Sequence, residues 1–188
     1  LAYISEHYKY YEDIKNEGFT SGGVKSFIGK YDIDYAIASA IKVSAIIDYT
    51  KNNGLGSGIG RNNREIGGAS ILWKHNLNDK WNYEWSARKE ISDIYKSPVL
   101  FSAGSRYNFS DFYQLKVNVS RNFRIPTFND LYWEGSGNPD LKPESSFQAE
   151  IGNEFKYKDF RLTVTAYGMK IKDMIRWLPN NSGNWSPE

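Results

Sequence analysis

Residues 120–144 read SRNFRIPTFNDLYWEGSGNPDLKPE and separate two stretches in which apolar and polar side chains alternate. Pro126 has no backbone N–H for a ladder hydrogen bond and disfavours helix before it, so it is expected to end the preceding strand. Glycines, prolines and Asn138 then punctuate the segment before a strand resumes near Ser145. The segment predicts a long, structured connection at which the chain reverses direction.

The sequence on both sides of this segment alternates with a period of two, which places successive side chains on opposite faces of a strand. From 81 to 91, for example, Trp81, Tyr83 and Trp85 share one face, whereas Asn82 and Glu84 share the other. The pattern predicts about nine strands and an all-β, antiparallel fold. The predicted strands are 1–11, 24–37, 41–49, 69–75, 81–91, 99–109, 113–123, 147–157 and 160–171.

The connections between these strands are of two kinds. Short ones follow every second strand, at 38–40, 77–80, 110–111 and 158–159, as in tight antiparallel hairpins. The others are mostly longer and polar or glycine-rich, at 13–22, 52–63, 126–144 and from 176 onward, with 93–98 as a brief exception. Short turns at one rim and long loops at the other are typical of bacterial outer-membrane barrels. The fold is therefore predicted to be an incomplete antiparallel transmembrane β-barrel.

Strand length and composition agree with a barrel. Most predicted strands exceed the five or six residues of a typical soluble strand, and about nine to eleven tilted residues cross a bilayer. A mean hydropathy of -0.62 does not exclude this, because only alternate residues of a barrel strand touch lipid. The aromatic content is 16%, and aromatic residues near predicted strand ends could form an interfacial girdle or serve ordinary sheet packing. They are Trp81, Tyr107, Phe109, Tyr113, Phe155, Tyr157 and Phe160.

Several kinds of chemistry lack support in the sequence. A net charge of +2 provides no strong field for nucleic acid, and the absence of cysteine excludes a disulfide scaffold or a thiolate metal site. His7 and His75 have no spacing typical of zinc, so no metal, cofactor or catalytic residue is predicted. The glycines in NGLGSGIGR at 53–61 lack the Lys-Ser/Thr of a phosphate-binding loop and predict a flexible hairpin loop instead.

FRIPTFNDLYW followed by NPDLKPE, within 120–144, resembles the barrel segment of TonB-dependent outer-membrane receptors. The resemblance implies a bacterial outer-membrane protein whose barrel has about 22 strands and holds a plug domain in its lumen. It further implies uptake of a scarce nutrient such as a ferric siderophore, iron or cobalamin. The implied partners are outer-membrane lipid, the nutrient and the energising protein TonB, which would bind the plug. On this basis residues 1–188 are all barrel wall, the plug and closing strands lie elsewhere, and the long loop faces the cell exterior.

The motif offers two roles for its residues. A ligand arriving at the outer mouth could meet donors, acceptors and an aromatic surface on Asp130, Tyr132, Trp133, Asn138 and Asp140. A structural role is the alternative, in which Arg124 pairs with Asp130 or Glu144 and the motif braces the wall. The residues assigned to that role are Arg124, Pro126, Asp130, Leu131, Asn138, Pro139, Leu141, Pro143 and Glu144.

Two other functional classes remain open at this point. A soluble β-sheet module could bind carbohydrate through exposed aromatic rings while its apolar faces form an internal core. An outer-membrane barrel enzyme, such as a lipase or protease, would need a nucleophile and a base, and the sequence offers no convincing pair.

Overall fold

The computed structural model describes residues 1–11, 13–15, 17–179 and 183–188, and most of them lie in strands. Within these residues a nine-stranded antiparallel sheet forms, in which each strand pairs with its neighbours in sequence. Each predicted strand overlaps an observed one, so the all-β antiparallel fold is confirmed. The strands are β1 (Ala2–Tyr10), β2 (Thr20–Ala38), β3 (Ile41–Gly56), β4 (Gly60–Asn76), β5 (Trp81–Ser92), β6 (Val99–Asn108), β7 (Tyr113–Arg124), β8 (Glu144–Tyr157) and β9 (Phe160–Lys172).

The two edges of the sheet are β1 and β9, and across the described ranges these edges do not meet. An open edge presents unpaired backbone N–H and C=O groups, which cannot be left unsatisfied in lipid. The sheet is consequently part of the wall of a larger barrel, as the sequence predicted.

The sheet has an apolar face and a polar face. On the apolar face, Trp73 of β4 lies opposite Trp85 of β5, and their rings stack with centroids 6.4 Å apart. Ile47 of β3 shares this face and is 63% exposed. On the polar face, Arg88 of β5 donates a hydrogen bond to Asp48 of β3 at 2.6 Å. An apolar face that the described part of the chain leaves uncovered suits contact with lipid.

The short-turn rim confirms the predicted tight connections. At the turn between β4 and β5, the side-chain oxygen of Asn78 accepts hydrogen bonds from the backbone N–H groups of Lys80 and Trp81, at 3.0 and 2.9 Å. Two residues join β8 to β9, and the first of them, Lys158, has a φ of 53°. Local side-chain acceptors and a left-handed residue are common solutions for such tight reversals.

Aromatic rings form a continuous row near this rim. Phe109 lies between Tyr107 and Tyr113, with ring centroids 4.7 and 5.2 Å away, and Tyr113 stacks on Phe155 at 5.0 Å. The row joins β6, β7 and β8. Its position at a membrane interface stays a prediction.

The third and fourth strands extend farther than predicted. We call β3 and β4, residues 41–76, the tall hairpin. Their ladder continues to the pair Gly56 and Gly60, so the predicted flexible loop at 52–63 is wrong and only 57–59 form the turn. Backbone hydrogen bonds need no apolar alternation, so this part of the ladder is invisible to the sequence pattern. Similarly β2 begins at Thr20, which shortens the predicted connection at 13–22; Asn16 in it lies outside the described residues.

The opposite rim carries the remaining elements. We call it the long-loop rim; it comprises 57–59, 93–98, 125–143 and the described residues of 11–19 and of the segment after β9. A short helix, α1 (Phe128–Tyr132), interrupts the loop after β7, and the sequence did not predict it. After β9, β10 (Trp177–Pro179) pairs with β11 (Trp185–Pro187), while residues 180–182 of this predicted tail lie outside the described residues. Within the described residues, helix is too short and too polar to span a membrane.

Candidate ligand-facing rim

The connection between β7 and β8, residues 125–143, is called the docked loop here. Near its start, Pro126 is buried and Thr127 caps α1. The Thr127 hydroxyl accepts the backbone N–H of Asp130 at 3.1 Å, and the Asp130 carboxylate accepts the backbone N–H of Thr127 at 2.8 Å. This reciprocal capping satisfies two N–H groups that a helix start leaves free, which fixes where the helix begins.

The Asp130 carboxylate also joins the docked loop to the segment after β9. Its other oxygen accepts the indole N–H of Trp177 at 2.9 Å, and Arg124 at the end of β7 lies 3.8 Å away. Asp130 is only 5% exposed, and burial alone would raise its pKa. The hydrogen bonds from Thr127 and Trp177, with the charge of Arg124, outweigh burial and hold the pKa of Asp130 below its usual value.

Asn138 and Glu144 make two more connections to the C-terminal segment. The Asn138 side chain donates to the carbonyl of Pro187 at 3.3 Å and accepts the backbone N–H of Asp140 at 3.0 Å. The Glu144 carboxylate accepts the backbone N–H of Ile175 at 2.8 Å and lies 4.0 Å from the Arg124 guanidinium. Arg124 is thereby placed between two carboxylates.

A small apolar cluster lies beneath these polar contacts. Leu131 of α1, Leu141 and Ile175 are buried together, and Tyr95 and Tyr132 pack against them. Burial of a leucine or isoleucine contributes about 1.5–3 kcal/mol, so three of them can hold a short loop that hydrogen bonds alone would leave marginal. Of the prolines in the motif, Pro143 is half-buried and Pro139 is exposed.

The docked loop reaches the tall hairpin through backbone and ring contacts. The N–H of Glu134 donates to the carbonyl of Gly58 at 2.6 Å. Phe128 lies against Gly54, where an added Cβ would come within 2.8 Å of the ring. The Trp133 ring lies over Gly58, 3.5 Å from the position of an added Cβ. Gly54 therefore gives the Phe128 ring a close approach that a Cβ would block, whereas a Cβ at Gly58 would make an ordinary contact with Trp133. The sequence pattern did not reveal this role of Gly54.

The candidate residues differ in how far they are engaged within the protein. Asp130 and Asn138 are bonded inside the loop and to the C-terminal segment, whereas Asp140 is exposed and Tyr132 and Trp133 are half-buried. Sequence reasoning missed Arg64 of β4, which is buried with its guanidinium carbon 4.8 Å from the centre of the Phe128 ring. It also missed Tyr95, whose pKa is raised chiefly by burial. A lone arginine or tyrosine among polar residues gives no pattern by which to find it.

The histidines serve local packing. His75 and Tyr83 are hydrogen-bonded across β4 and β5, with 2.8 Å between the ring nitrogen and the hydroxyl. His7 lies against Gly23 on the neighbouring strand. Through the described part of the chain, no group of three or more potential metal ligands lies close together.

These features define a segment of transmembrane β-barrel wall with tight turns at one rim and a loop-covered opposite rim. The chain belongs to the TonB-dependent receptor family, because the family model described as "TonB dependent receptor-like, beta-barrel" matches residues 3–187. That family places it in the outer membrane of a bacterium, and its relatives are receptors and transporters rather than enzymes.

Two relatives by sequence carry the same description. The chain is 36% identical over 111 residues to the vitamin B12 transporter BtuB of Photobacterium profundum, covering 57% of this chain and 18% of that protein. It is 29% identical over 158 residues to the vitamin B12 transporter BtuB of Vibrio vulnificus strain YJ016, covering 81% of this chain and 26% of that protein. The chain therefore spans at most about a quarter of the length of these relatives.

Solved structures share the fold. A mutant of the ferric enterobactin receptor PfeA of Pseudomonas aeruginosa superposes with a TM-score of 0.75 at 14% identity, covering 87% of this chain and 29% of that one. The copper transporter OprC superposes with a TM-score of 0.73 at 11% identity, covering 98% of this chain and 37% of that one. At such identities the similarity is one of architecture, so it carries no information about cargo.

Proposed function

We propose that this chain is part of the barrel of a receptor that takes up cobalamin across the outer membrane with energy supplied through TonB. The observation that supports cobalamin as the cargo is the sequence similarity to two vitamin B12 transporters, at 36% and 29% identity. A ferric siderophore is the second candidate. It is supported only by architectural similarity to siderophore receptors at 14–15% identity, which is weaker support.

The proposed mechanism assigns different tasks to the residues of the docked loop. The exposed Asp140 and the half-buried Tyr132 and Trp133 would contact the cargo, because they have surface available at the mouth. Asp130 and Asn138 would shape the loop, because their polar groups are already engaged within the protein. TonB would act through a plug domain inside the completed barrel, and the long-loop rim would face the cell exterior.

The other functional classes fit the observations less well. A soluble carbohydrate-binding module would fold its apolar face into a core, whereas this sheet leaves Ile47, Tyr31 and Val99 more than half exposed. A barrel enzyme finds no support in the family, because the relatives of this chain are receptors and transporters.

Binding of labelled cyanocobalamin to outer membranes that contain the complete receptor tests the proposal. We expect saturable binding, and about tenfold weaker affinity for Trp133→Ala, because a well-packed aromatic contact is worth more than about 1 kcal/mol. Phe112→Ala is the matched control, since it truncates an exposed aromatic ring at the short-turn rim and should leave affinity unchanged. Uptake, but not binding, should stop in cells that lack TonB.

Two results would count against the proposal. Saturable binding of a ferric siderophore with no binding of cobalamin would show that cobalamin is not the cargo. The assignment to a receptor would still hold. Uptake that continues at the same rate without TonB would overturn the energy source.

A further inference from the structure

Arg64 of β4 has a guanidinium edge for which the described part of the chain supplies no acceptor. Its side chain projects from the polar face of the tall hairpin and is only 6% exposed. Both Nε and Nη2 are shielded from solvent, and no hydrogen-bond partner for either is found among the residues that the structure describes. Buried N–H groups without acceptors are destabilising, and buried charges are nearly always paired, so a partner for this edge is expected.

Arg88, on the next strand, is an arginine of the polar face whose guanidinium nitrogens all have hydrogen-bond acceptors. Its Nε donates to Glu90 at 2.8 Å, and Nη1 and Nη2 donate to the two oxygens of Asp48 at 2.6 and 2.9 Å. Arg88 is less buried than Arg64 and yet is fully paired. The unpaired edge of Arg64 is therefore not a general property of arginines on the polar face.

The acidic groups near Arg64 do not accept hydrogen bonds from its Nε and Nη2. Asp93 and Asp130 act on its charge through space. The Asp130 carboxylate is already occupied by Thr127 and Trp177. Asp93 accepts a hydrogen bond from the Ser92 hydroxyl at 3.3 Å. The Phe128 ring of α1 lies over the guanidinium carbon, 4.8 Å from the ring centre; it attracts a cation but accepts no conventional hydrogen bond.

The geometry of the two unpaired nitrogens indicates the kind of ligand that they can bind. Nε and the adjacent terminal nitrogen form one edge of the planar guanidinium, and two parallel N–H bonds from such an edge match the two oxygens of a carboxylate or phosphate. We propose that this edge of Arg64 binds the carboxylate or phosphate group of a small ligand that enters at the long-loop rim. Because Nε and Nη2 are shielded from solvent, the side chains packed around them must shift for the anion to enter.

Anion-dependent stability of the complete receptor in detergent provides the test. Thermal unfolding is followed while inorganic phosphate or acetate replaces chloride at constant ionic strength. Phosphate also stabilises proteins through exclusion from their surface, so the informative quantity is the difference between wild type and variants. We expect a saturable rise in Tm for the wild type with both anions and the loss of that saturable part in Arg64→Gln.

Two further variants make the result specific. Arg61→Gln is the matched control, because Arg61 lies on the same strand and is exposed, and it should keep the wild-type response. Phe128→Leu retains Arg64 but removes the competing ring, so it should bind phosphate about two- to fivefold more tightly. This variant also keeps the test decisive if Arg64→Gln fails to fold.

A wild type without a saturable response, or an Arg64→Gln variant that keeps it, would overturn the inference. Equal loss in Arg61→Gln would mean nonspecific anion binding and would overturn it as well. The inference rests on the proposed function only for the route by which the ligand arrives. If cobalamin uptake is absent but the anion response is present, the proposed cargo alone fails; the reverse result removes this site alone.

Discussion

Asp130 connects three parts of the long-loop rim through one carboxylate. Its oxygens meet the start of α1 through Thr127, the segment after β9 through Trp177, and the end of β7 through Arg124. Each contact spans a different separation in sequence, from three to 47 residues. A single buried group can thus fix the position of a loop relative to strands far from it in the chain.

Replacing Asp130 by alanine should release the docked loop while the sheet stays folded. The change leaves the Trp177 indole and the Thr127 amide without an acceptor, which costs about 2–4 kcal/mol. Amide hydrogen exchange in the complete receptor should therefore become at least about 30-fold faster across 127–138. Asp140→Asn is the control, because the Asp140 side chain is exposed, and its exchange should match the wild type. Unchanged protection in Asp130→Ala would contradict a bracing role.

At the scale of elements, α1 and the tall hairpin fit together because Gly54 of β3 leaves room for the Phe128 ring. Gly54 faces Phe128, and Gly58 faces Trp133. A five-residue helix is too short to be stable alone, so its position depends on this contact and on the apolar cluster around Leu131.

Gly54→Ala should weaken this contact. The new methyl group would lie 2.8 Å from a Phe128 ring carbon, a distance that forces the ring or the whole helix to shift. Overpacking of this kind costs about 1–3 kcal/mol. The measurement is exchange of the Glu134 amide, which donates to Gly58 and so reports whether the loop is docked.

Gly67→Ala supplies the matched control for that substitution. Gly67 lies in β4, the other strand of the tall hairpin, and an added Cβ there would meet no atom within 4 Å. Exchange of the Glu134 amide should stay at the wild-type rate. If both substitutions accelerate it equally, the close approach of Phe128 to Gly54 is not what holds the loop.

The same elements show how far sequence reasoning extends. The strands were predicted wherever apolar residues alternate, because lipid on one face imposes that pattern. The pattern stops near Tyr49 and resumes near Ala69, yet the ladder continues between them through pairs such as Lys51 and Glu65. Where a strand leaves the lipid and both of its faces meet water, its residues need not alternate. Such a strand cannot be told from a polar loop by its sequence.

The candidate rim was predicted only in part. The motif placed Asp130, Asn138 and Glu144 in one loop, but their partners Trp177, Pro187 and Ile175 are 31 to 49 residues away in the chain. Such contacts depend on which strands become neighbours and carry no local signal. For the same reason Arg64 was missed, since three strands, β5 to β7, separate it from the Phe128 ring that it contacts.

At the scale of the whole molecule, the apolar face is the feature that ties the sheet to a membrane. Ile47→Arg would place a charge on that face, and in a transmembrane barrel such a change costs about 2–4 kcal/mol near the bilayer midplane. Unfolding of the complete receptor in lipid vesicles should show this loss. Tyr167→Arg is the control: Tyr167 lies on the polar face opposite Glu150, and stability should change little. Equal tolerance of both substitutions would argue against lipid contact at Ile47.

The extra length of the tall hairpin also affects how the protein meets proteases. Strands of 16 and 17 residues exceed the nine to eleven or so that cross a bilayer, so part of the hairpin stands in water. Lys51 and Arg61 in that part are chemically suitable for trypsin, but both are paired within the ladder. Cleavage requires a locally unfolded stretch, which a paired strand supplies rarely. The hairpin can therefore project from the membrane and still resist digestion.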